Sequence, residues 1–227
     1  MTLDDLFTSA PSVLGELTDE SFRLAEKHID SRSQHAACYL VILRAISILR
    51  ASLTLLGAET FDSWDILNRA FMECRELLAT FRFDDEPTRI LLKRWFNGDK
   101  DAWKPAFKKC ETFFESKGGR DLQLSTRWGI FSKLSHPTNF ACRNSAAILT
   151  GWRWDHRRED LATTLGHKKA DYVSAIATLI AVVYFEPPEW IPLGFDRLRT
   201  PQADALRTSA PSIVKSVLAG VPGSVRV

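Results

Sequence analysis

The chain has 227 residues, of which 45% are hydrophobic and 26% are charged, and its formal net charge is only +2. This composition, without any low-complexity tract, is typical of one large soluble domain and excludes a disordered chain. The 11 glycines and 10 prolines lie mostly between long periodic segments, which favours helices over the closely spaced turns of an all-β chain.

The first half of the chain predicts three helices. The first is expected over residues 18–29, with Thr18 as its N-cap. The second, over residues 33–56, ends before Gly57 as a C-cap and is apolar on almost every side, so we expect neighbours all around it. The third is expected over residues 60–83. Its apolar residues recur at spacings of 3 or 4 and are Trp64, Leu67, Phe71, Cys74, Leu78 and Phe81.

Residues 36–56 form the most membrane-like stretch, but Arg44 and Arg50 interrupt it. An arginine at the bilayer centre costs about 2.5–3.5 kcal/mol even on a lenient scale, so we interpret the stretch as a buried central helix. The N-terminus lacks the positive start and apolar run of a signal peptide, and no CxxC pair is present. We therefore expect a cytoplasmic protein, without membrane contact, whose four cysteines are reduced.

The second half predicts further helices and a different tail. Asp85 and its acidic neighbours precede Pro87 and suit the first turn of a fourth helix that ends near Asn97. Further helices are expected over residues 102–116, 122–135 and 138–150, the last capped by Thr138 or Asn139, and over residues 169–185. After residue 186, a Pro-containing arm with short helices is expected. In this arm Trp190, Ile191 and Leu193 could dock on the body.

These elements predict an all-α fold. We expect a single-domain antiparallel helical bundle of about seven helices over residues 1–186, with a peripheral C-terminal arm over residues 187–227.

Residues 89–109 hold seven basic and two acidic side chains, with Trp95, Phe96, Trp103 and Phe107 interleaved. Such a segment could hold a phosphate backbone and stack bases. The alternative is an amphipathic helix pair with a solvated basic face.

On the sixth predicted helix, Ser125, Gly129, Ser132 and His136 follow one another at spacings of 4, 3 and 4. Small residues allow a ligand or a second helix to approach, and a histidine at the end of such a groove can act as an acid or a base near neutral pH. The alternative is tight helix packing, with His136 contacting the last carbonyls of its helix. The sequence contains no GxSxG, HxxxH, GxGxxG or GxxxxGK[ST] pattern, so we expect no metal and no cofactor.

Arg69 and Glu73 lie one helical turn apart on the third predicted helix, with Glu76 on the same side and away from the centre of the apolar stripe. One interpretation is a solvent-facing ion pair worth a few tenths of a kcal/mol. The other is that this face meets another part of the protein or a second subunit, where Arg69 would hold an anion.

The helix LNRAFMECRELL, followed further along the chain by RWGIFSKLSHPTN, resembles bacterial helical families of unknown function related to the HEPN-like superfamily. The shared pattern is an RSxxE-like helix and then an aromatic residue, a leucine, a serine and a His-Pro pair at the end of another helix. The resemblance covers residues 36–149 or so. It implies a polar centre formed by Arg69, Glu73, Ser132 and His136.

Many HEPN-like proteins are dimers that cleave RNA without metal, and they occur in toxin and phage-defence systems. The resemblance therefore implies a homodimeric, metal-independent ribonuclease. His136 would act on the 2′-hydroxyl, and Arg69 or Arg143 would stabilise phosphate charge. The implied binding residues are Glu73, Ser125, Ser132 and Asn139. The alternative is a non-catalytic helical binding or regulatory module that uses the same groove for a ligand or a protein partner.

Overall fold

The computed structural model describes residues 2–28, 31–58, 61–99, 109–110, 112–113, 116, 158–195, 200–206 and 208–209. Five long helices lie within these ranges: α1 (Leu3–Ala25), α2 (Gln34–Gly57), α3 (Phe61–Phe81), α4 (Glu86–Phe96) and α5 (Arg158–Tyr184). Residues 201–206 are also helical. The described part has no β-strand beyond one isolated bridge between Phe83 and Trp190, which confirms the all-α class. The sixth and seventh predicted helices lie outside the described residues, so the count of about seven and the antiparallel order stay predictions.

Helix α1 begins 15 residues earlier than the sequence predicts, at Leu3. Thr2 caps it, because its hydroxyl accepts a hydrogen bond from the Asp5 amide at 3.2 Å, and the Asp5 carboxylate accepts one from the Thr2 amide at 2.7 Å. The predicted N-cap was wrong: the Thr18 hydroxyl lies inside the helix and donates to the Leu14 carbonyl at 2.6 Å. Pro11 lies within the helix and removes one backbone donor. The helix nevertheless continues, because a buried stripe runs through both sides of the proline: Leu6, Ala10, Val13, Leu14 and Leu17.

Helix α2 is the central helix, as predicted, and it contacts each of the other four long helices. Ser33 caps its start by accepting from the Ala36 amide at 3.1 Å, and the helix runs one residue further than predicted, through Gly57 to a C-cap at Ala58. Among the described helices, only α2 is long and apolar enough to cross a membrane, and 44% of its most apolar window is buried. The core helix of a soluble protein can have the same length and composition as α2. The side chains of Arg44 and Arg50 on α2 are exposed.

Helices α3 and α4 follow the prediction closely. Within the α3 stripe, Trp64, Phe71, Leu78 and Phe81 are buried, whereas Leu67 and Cys74 are partly buried. Asp85 caps α4 by accepting from the Thr88 amide at 2.9 Å, and the helix ends at Phe96 with Asn97 as C-cap. The next residue, Gly98, has a φ of 78°, a conformation that suits glycine after a helix.

Helix α5 begins 11 residues before the predicted residue 169 and ends at Tyr184. The chain then returns across the end of α3, where Trp190, Leu193 and Phe195 are buried and belong to the same core cluster as the helices. The predicted docking of Trp190 and Leu193 is confirmed, and Ile191 is partly buried beside them. Of the fifth predicted helix, residues 109–110, 112–113 and 116 are described and are helical.

The described cysteines are free, as predicted. Cys38 and Cys110 are buried and Cys74 is half-buried. Burial raises the pKa of both the Cys38 and the Cys74 thiol to about 12, so neither is a nucleophile at neutral pH. Cys142 lies outside the described residues.

Candidate functional site

The Arg69–Glu73 pair of α3 forms as the spacing predicts. The Arg69 Nε donates to Glu73 Oε1 at 3.1 Å, and the two side chains are 19% and 31% exposed. The pair therefore lies at the surface, within reach of solvent or of a ligand. This hydrogen bond orients the guanidinium of Arg69 through its Nε.

Glu76, which by its spacing lies on the same side of the helix as Arg69, is buried rather than solvent-facing. Its side chain is 4% exposed and pairs with Arg75, whose Nε lies 3.1 Å from Glu76 Oε1. The second carboxylate oxygen, Oε2, is buried without a hydrogen-bond partner. Helix α3 is buried on more than its apolar stripe, since both α2 and α5 pack against it, so a position facing away from the stripe still faces protein.

The other predicted site residues lie outside the described residues: His136, Arg143, Ser125, Ser132 and Asn139. The structure thus brings together Arg69 and Glu73 and leaves the remaining assignments as predictions.

A groove of about 340 Å³ runs between α2, α3 and α4 next to this pair. Glu73 lines it from α3, and Arg44 faces it from α2. Arg44 is exposed and forms no ion pair with a described residue. The groove floor is apolar and includes Leu40, Val41 and Leu77.

A larger cavity, of about 900 Å³, is lined by the end of α3, by α4 and by Lys109, Thr112, Phe113 and Ser116. Its lining is predominantly apolar, and Phe83, Leu91 and Phe113 form much of it. Ile90 of α4 stands at the opening, where its side chain is 52% exposed. A volume of this size is in the range of small-molecule sites, which span about 300–1,000 Å³.

One edge of this cavity, here called the Asp85 edge, is formed by Thr88 and Lys109, and Asp85 holds the Lys109 side chain there. The Lys109 ammonium donates to both Asp85 oxygens, at 2.8 and 2.6 Å, and to the Thr88 hydroxyl at 2.8 Å. It also lies 4.3 Å from the centre of the Phe83 ring. Burial alone would raise the pKa of Asp85, but hydrogen bonds from Lys109 and Thr88 outweigh burial and lower it.

The cavity also has an aromatic wall, in which Phe83 and Phe113 line the space and Trp190 packs against both rings. The Phe83 and Phe113 rings meet edge to face with centroids 5.0 Å apart, and Phe113 stacks on Trp190 at 5.1 Å. Because Trp190 belongs to the C-terminal arm, the docked arm supports the cavity from behind.

Several side chains of the basic segment are paired or packed within the protein. Arg89 pairs with Asp84 at 2.9 Å, Arg94 with Asp99 at 2.7 Å, and Lys109 with Asp85. Trp95 and Phe96 pack against the core and against each other, with ring centroids 5.0 Å apart. These contacts favour the interpretation of an ordinary amphipathic helix for the described part. Trp103 and Phe107 lie outside it.

Sequence reasoning missed the cavity altogether. Its walls come from segments that are separate along the chain, so no local motif marks it. One signal was present: Ile90, Leu91 and Leu92 are consecutive, and three consecutive helical residues cannot all face one core. Leu91 and Leu92 are buried and Ile90 is not, which points to an apolar surface on the outer side of α4.

Comparison with known proteins gives no further assignment, since no family model, curated protein or solved structure matches the chain. Within the described ranges no group of three or more His, Cys, Asp or Glu side chains is arranged to hold a metal ion.

Proposed function

We propose that the chain is a helical binding protein whose ligand occupies the 900 Å³ cavity that the end of α3, α4, Lys109 and Phe113 line. The observation that carries this proposal is the open, predominantly apolar lining of that cavity. An open concave space of this size, lined mainly by apolar side chains, can accept a ligand. Concave apolar sites with a few fixed polar groups are the usual form of a small-molecule site.

The test uses the fluorescence of N-phenyl-1-naphthylamine, a neutral dye that brightens in apolar surroundings. We expect saturable binding to the purified full chain and at least a tenfold weaker affinity in Ile90→Trp, because the indole would fill the opening. The matched control is Ile66→Trp, since Ile66 of α3 is 51% exposed and does not line the cavity. Equal affinity in both variants would exclude this cavity as the site.

The second proposed function is the metal-independent ribonuclease implied by the HEPN-like resemblance. The observation that favours it is the partly exposed Arg69–Glu73 pair, with Arg44 lining the adjoining groove without an ion-pair partner among the described residues. Two arginines on neighbouring helices offer charge to a phosphate, as that reaction requires. His136 would supply the acid or base, and Arg143 is the other candidate for phosphate charge.

This function is tested by cleavage of a mixed pool of labelled RNAs in EDTA. The ribonuclease proposal predicts that wild-type protein cuts and that His136→Ala does not, whereas His28→Ala, in a different part of the chain, retains cleavage. Circular dichroism would establish that the variants are folded. If the wild type does not cleave RNA but binds the dye saturably, the ribonuclease proposal is wrong and the binding-protein proposal is retained.

We also propose a homodimer in the cytoplasm. The homodimer and RNA as a partner rest on the family resemblance, and the cytoplasmic location rests on the free cysteines of the described residues.

A further inference from the structure

We propose that the groove of about 340 Å³ between α2, α3 and α4 is a second ligand site, which takes a small molecule with one carboxylate and an apolar body. This inference goes beyond the proposed binding in the 900 Å³ cavity and does not depend on it. Arg44 holds the carboxylate of the ligand, and the groove floor holds its apolar body.

Arg44 supplies the charge for this ligand. Its side chain lines the groove from α2, is exposed, and has no hydrogen bond or ion pair with a described residue. A guanidinium presents five N–H donors in a planar fork, and this fork matches the two oxygens of a carboxylate. The groove therefore has a donor group ready for an anion.

The acidic side chains at the groove are already paired. Glu73 accepts from the Arg69 Nε at 3.1 Å, and Asp99 accepts from the Arg94 Nε at 2.7 Å. Among the described lining residues, Arg44 is therefore the one charge that no ion pair balances. One uncompensated positive charge matches a ligand with one negative charge, because a second negative charge would meet the two carboxylates.

The Cys74 thiol also lines the groove and adds no negative charge to it. Burial raises the pKa of this thiol to about 12, and the Arg44 charge opposes that effect only in part. The thiol is therefore protonated at neutral pH and does not compete with a carboxylate for Arg44.

The groove floor supplies the apolar contacts. Its apolar side chains come from three helices: Leu40, Val41 and Ile48 of α2, Ala70 and Leu77 of α3, and Trp95 of α4. Leu40 keeps 38% of its surface exposed, so an apolar body in the groove removes apolar surface from water. A volume of about 340 Å³ is near the lower end of the range for small-molecule sites, about 300–1,000 Å³, and suits a small ligand.

The experiment compares octanoate, octan-1-ol and octylammonium, which share one alkyl chain, by isothermal titration calorimetry of the full chain at pH 7. We expect octanoate to bind at least about tenfold more tightly than octan-1-ol, and octylammonium to bind most weakly, because the guanidinium adds charge-assisted hydrogen bonds to the apolar contacts. Arg44→Gln should lower the affinity for octanoate to that for octan-1-ol. Arg50→Gln is the matched control, since Arg50 is exposed on the same helix and does not line the groove.

A second variant neutralises Arg44 without removing it. Leu40→Glu places a carboxylate one helical turn before Arg44, in the order that favours an ion pair, and should also remove the preference for octanoate. Ala51→Glu is its control, because Ala51 is exposed on α2 and does not line the groove. Circular dichroism would establish that these variants are folded.

The outcomes separate this inference from the proposed function. If octan-1-ol binds the wild type as tightly as octanoate, or if the preference for octanoate survives Arg44→Gln, the inference is wrong. Ile90→Trp obstructs the larger cavity, and we expect it to leave the preference for octanoate unchanged. Loss of that preference in Ile90→Trp but not in Arg44→Gln would place the carboxylate at the larger cavity and overturn the inference, while the proposed function would stand.

Discussion

Arg82 is the most completely buried charged residue of the described chain, with none of its surface exposed. Its guanidinium donates to the carbonyls of Val182 at 2.5 Å and Phe185 at 2.6 Å, which lie at the end of α5, and to that of Ile191 at 3.0 Å in the arm. Burial lowers its pKa to about 10, so it stays charged at neutral pH. One side chain thus satisfies the free carbonyls at a helix end and fixes the segment that follows.

We predict that Arg82→Met lowers the free energy of unfolding by about 3 kcal/mol or more. Methionine fills similar space but leaves several buried carbonyl oxygens without a donor, at a cost of about 1–3 kcal/mol each. Arg82→Lys should retain only part of the stability. Its ammonium can donate to some of these carbonyls but cannot reach acceptors in both segments. Urea unfolding followed by circular dichroism measures the change. Arg89→Met is the control, since Arg89 is exposed, and an equal shift of the midpoint in both Met variants would contradict this role of Arg82.

At the scale of the element, local signals predicted α2, α3 and α4 to within about two residues, because caps and periodicity act over one or two turns. The start of α1 was missed, because Thr18 was taken as its N-cap, whereas the helix begins at Leu3 and continues through Pro11 along a buried stripe. The Arg69–Glu73 pair was predictable for the same local reason. The cavity and the burial of Glu76 were not, since both arise where separate helices meet.

The N-terminus of α4 carries a prediction about pH. The pKa of Asp85 is lowered in the folded chain, so its carboxylate stabilises the fold above its unfolded pKa of about 3.9, and that contribution is lost as the pH falls through the lower folded value. We expect Asp85→Asn to reduce the loss of stability between about pH 5 and pH 3, because asparagine caps the helix but carries no charge for Lys109. Asp85→Ala should in addition lose about 0.5–2 kcal/mol at neutral pH.

Thermal unfolding of both variants across this pH range measures the effect, with Asp84→Asn as the exposed comparison. A pH dependence of Asp85→Asn identical to that of the wild type would show that another carboxylate governs acid stability.

At the scale of the whole molecule, the start of α2, the end of α3 and the arm are joined by polar contacts that span the chain. The Gln34 amide donates to the carbonyls of Phe81 and Phe83 at 2.7 and 2.8 Å. The Tyr39 hydroxyl donates to the Leu193 carbonyl at 2.7 Å, and the His35 Nε2 lies 3.1 Å from the Pro192 carbonyl. Since Trp190 also supports the cavity wall, the arm connects the stability of the fold to the shape of the candidate site.

If the described arm is integral to the fold, its amides must open together with the core. The Ile191 amide donates to the Arg82 carbonyl at 2.7 Å, and native-state hydrogen exchange can compare it with Ile46 in the middle of α2. We expect opening free energies that agree within about 1 kcal/mol, whereas the exposed turn amide of Ser31 should exchange far more easily. An Ile191 amide that opens several kcal/mol below Ile46 would instead describe a peripheral arm that detaches while the helices stay folded. In that case the aromatic wall would lose Trp190 with each detachment, and dye affinity should fall as the detached fraction rises with urea.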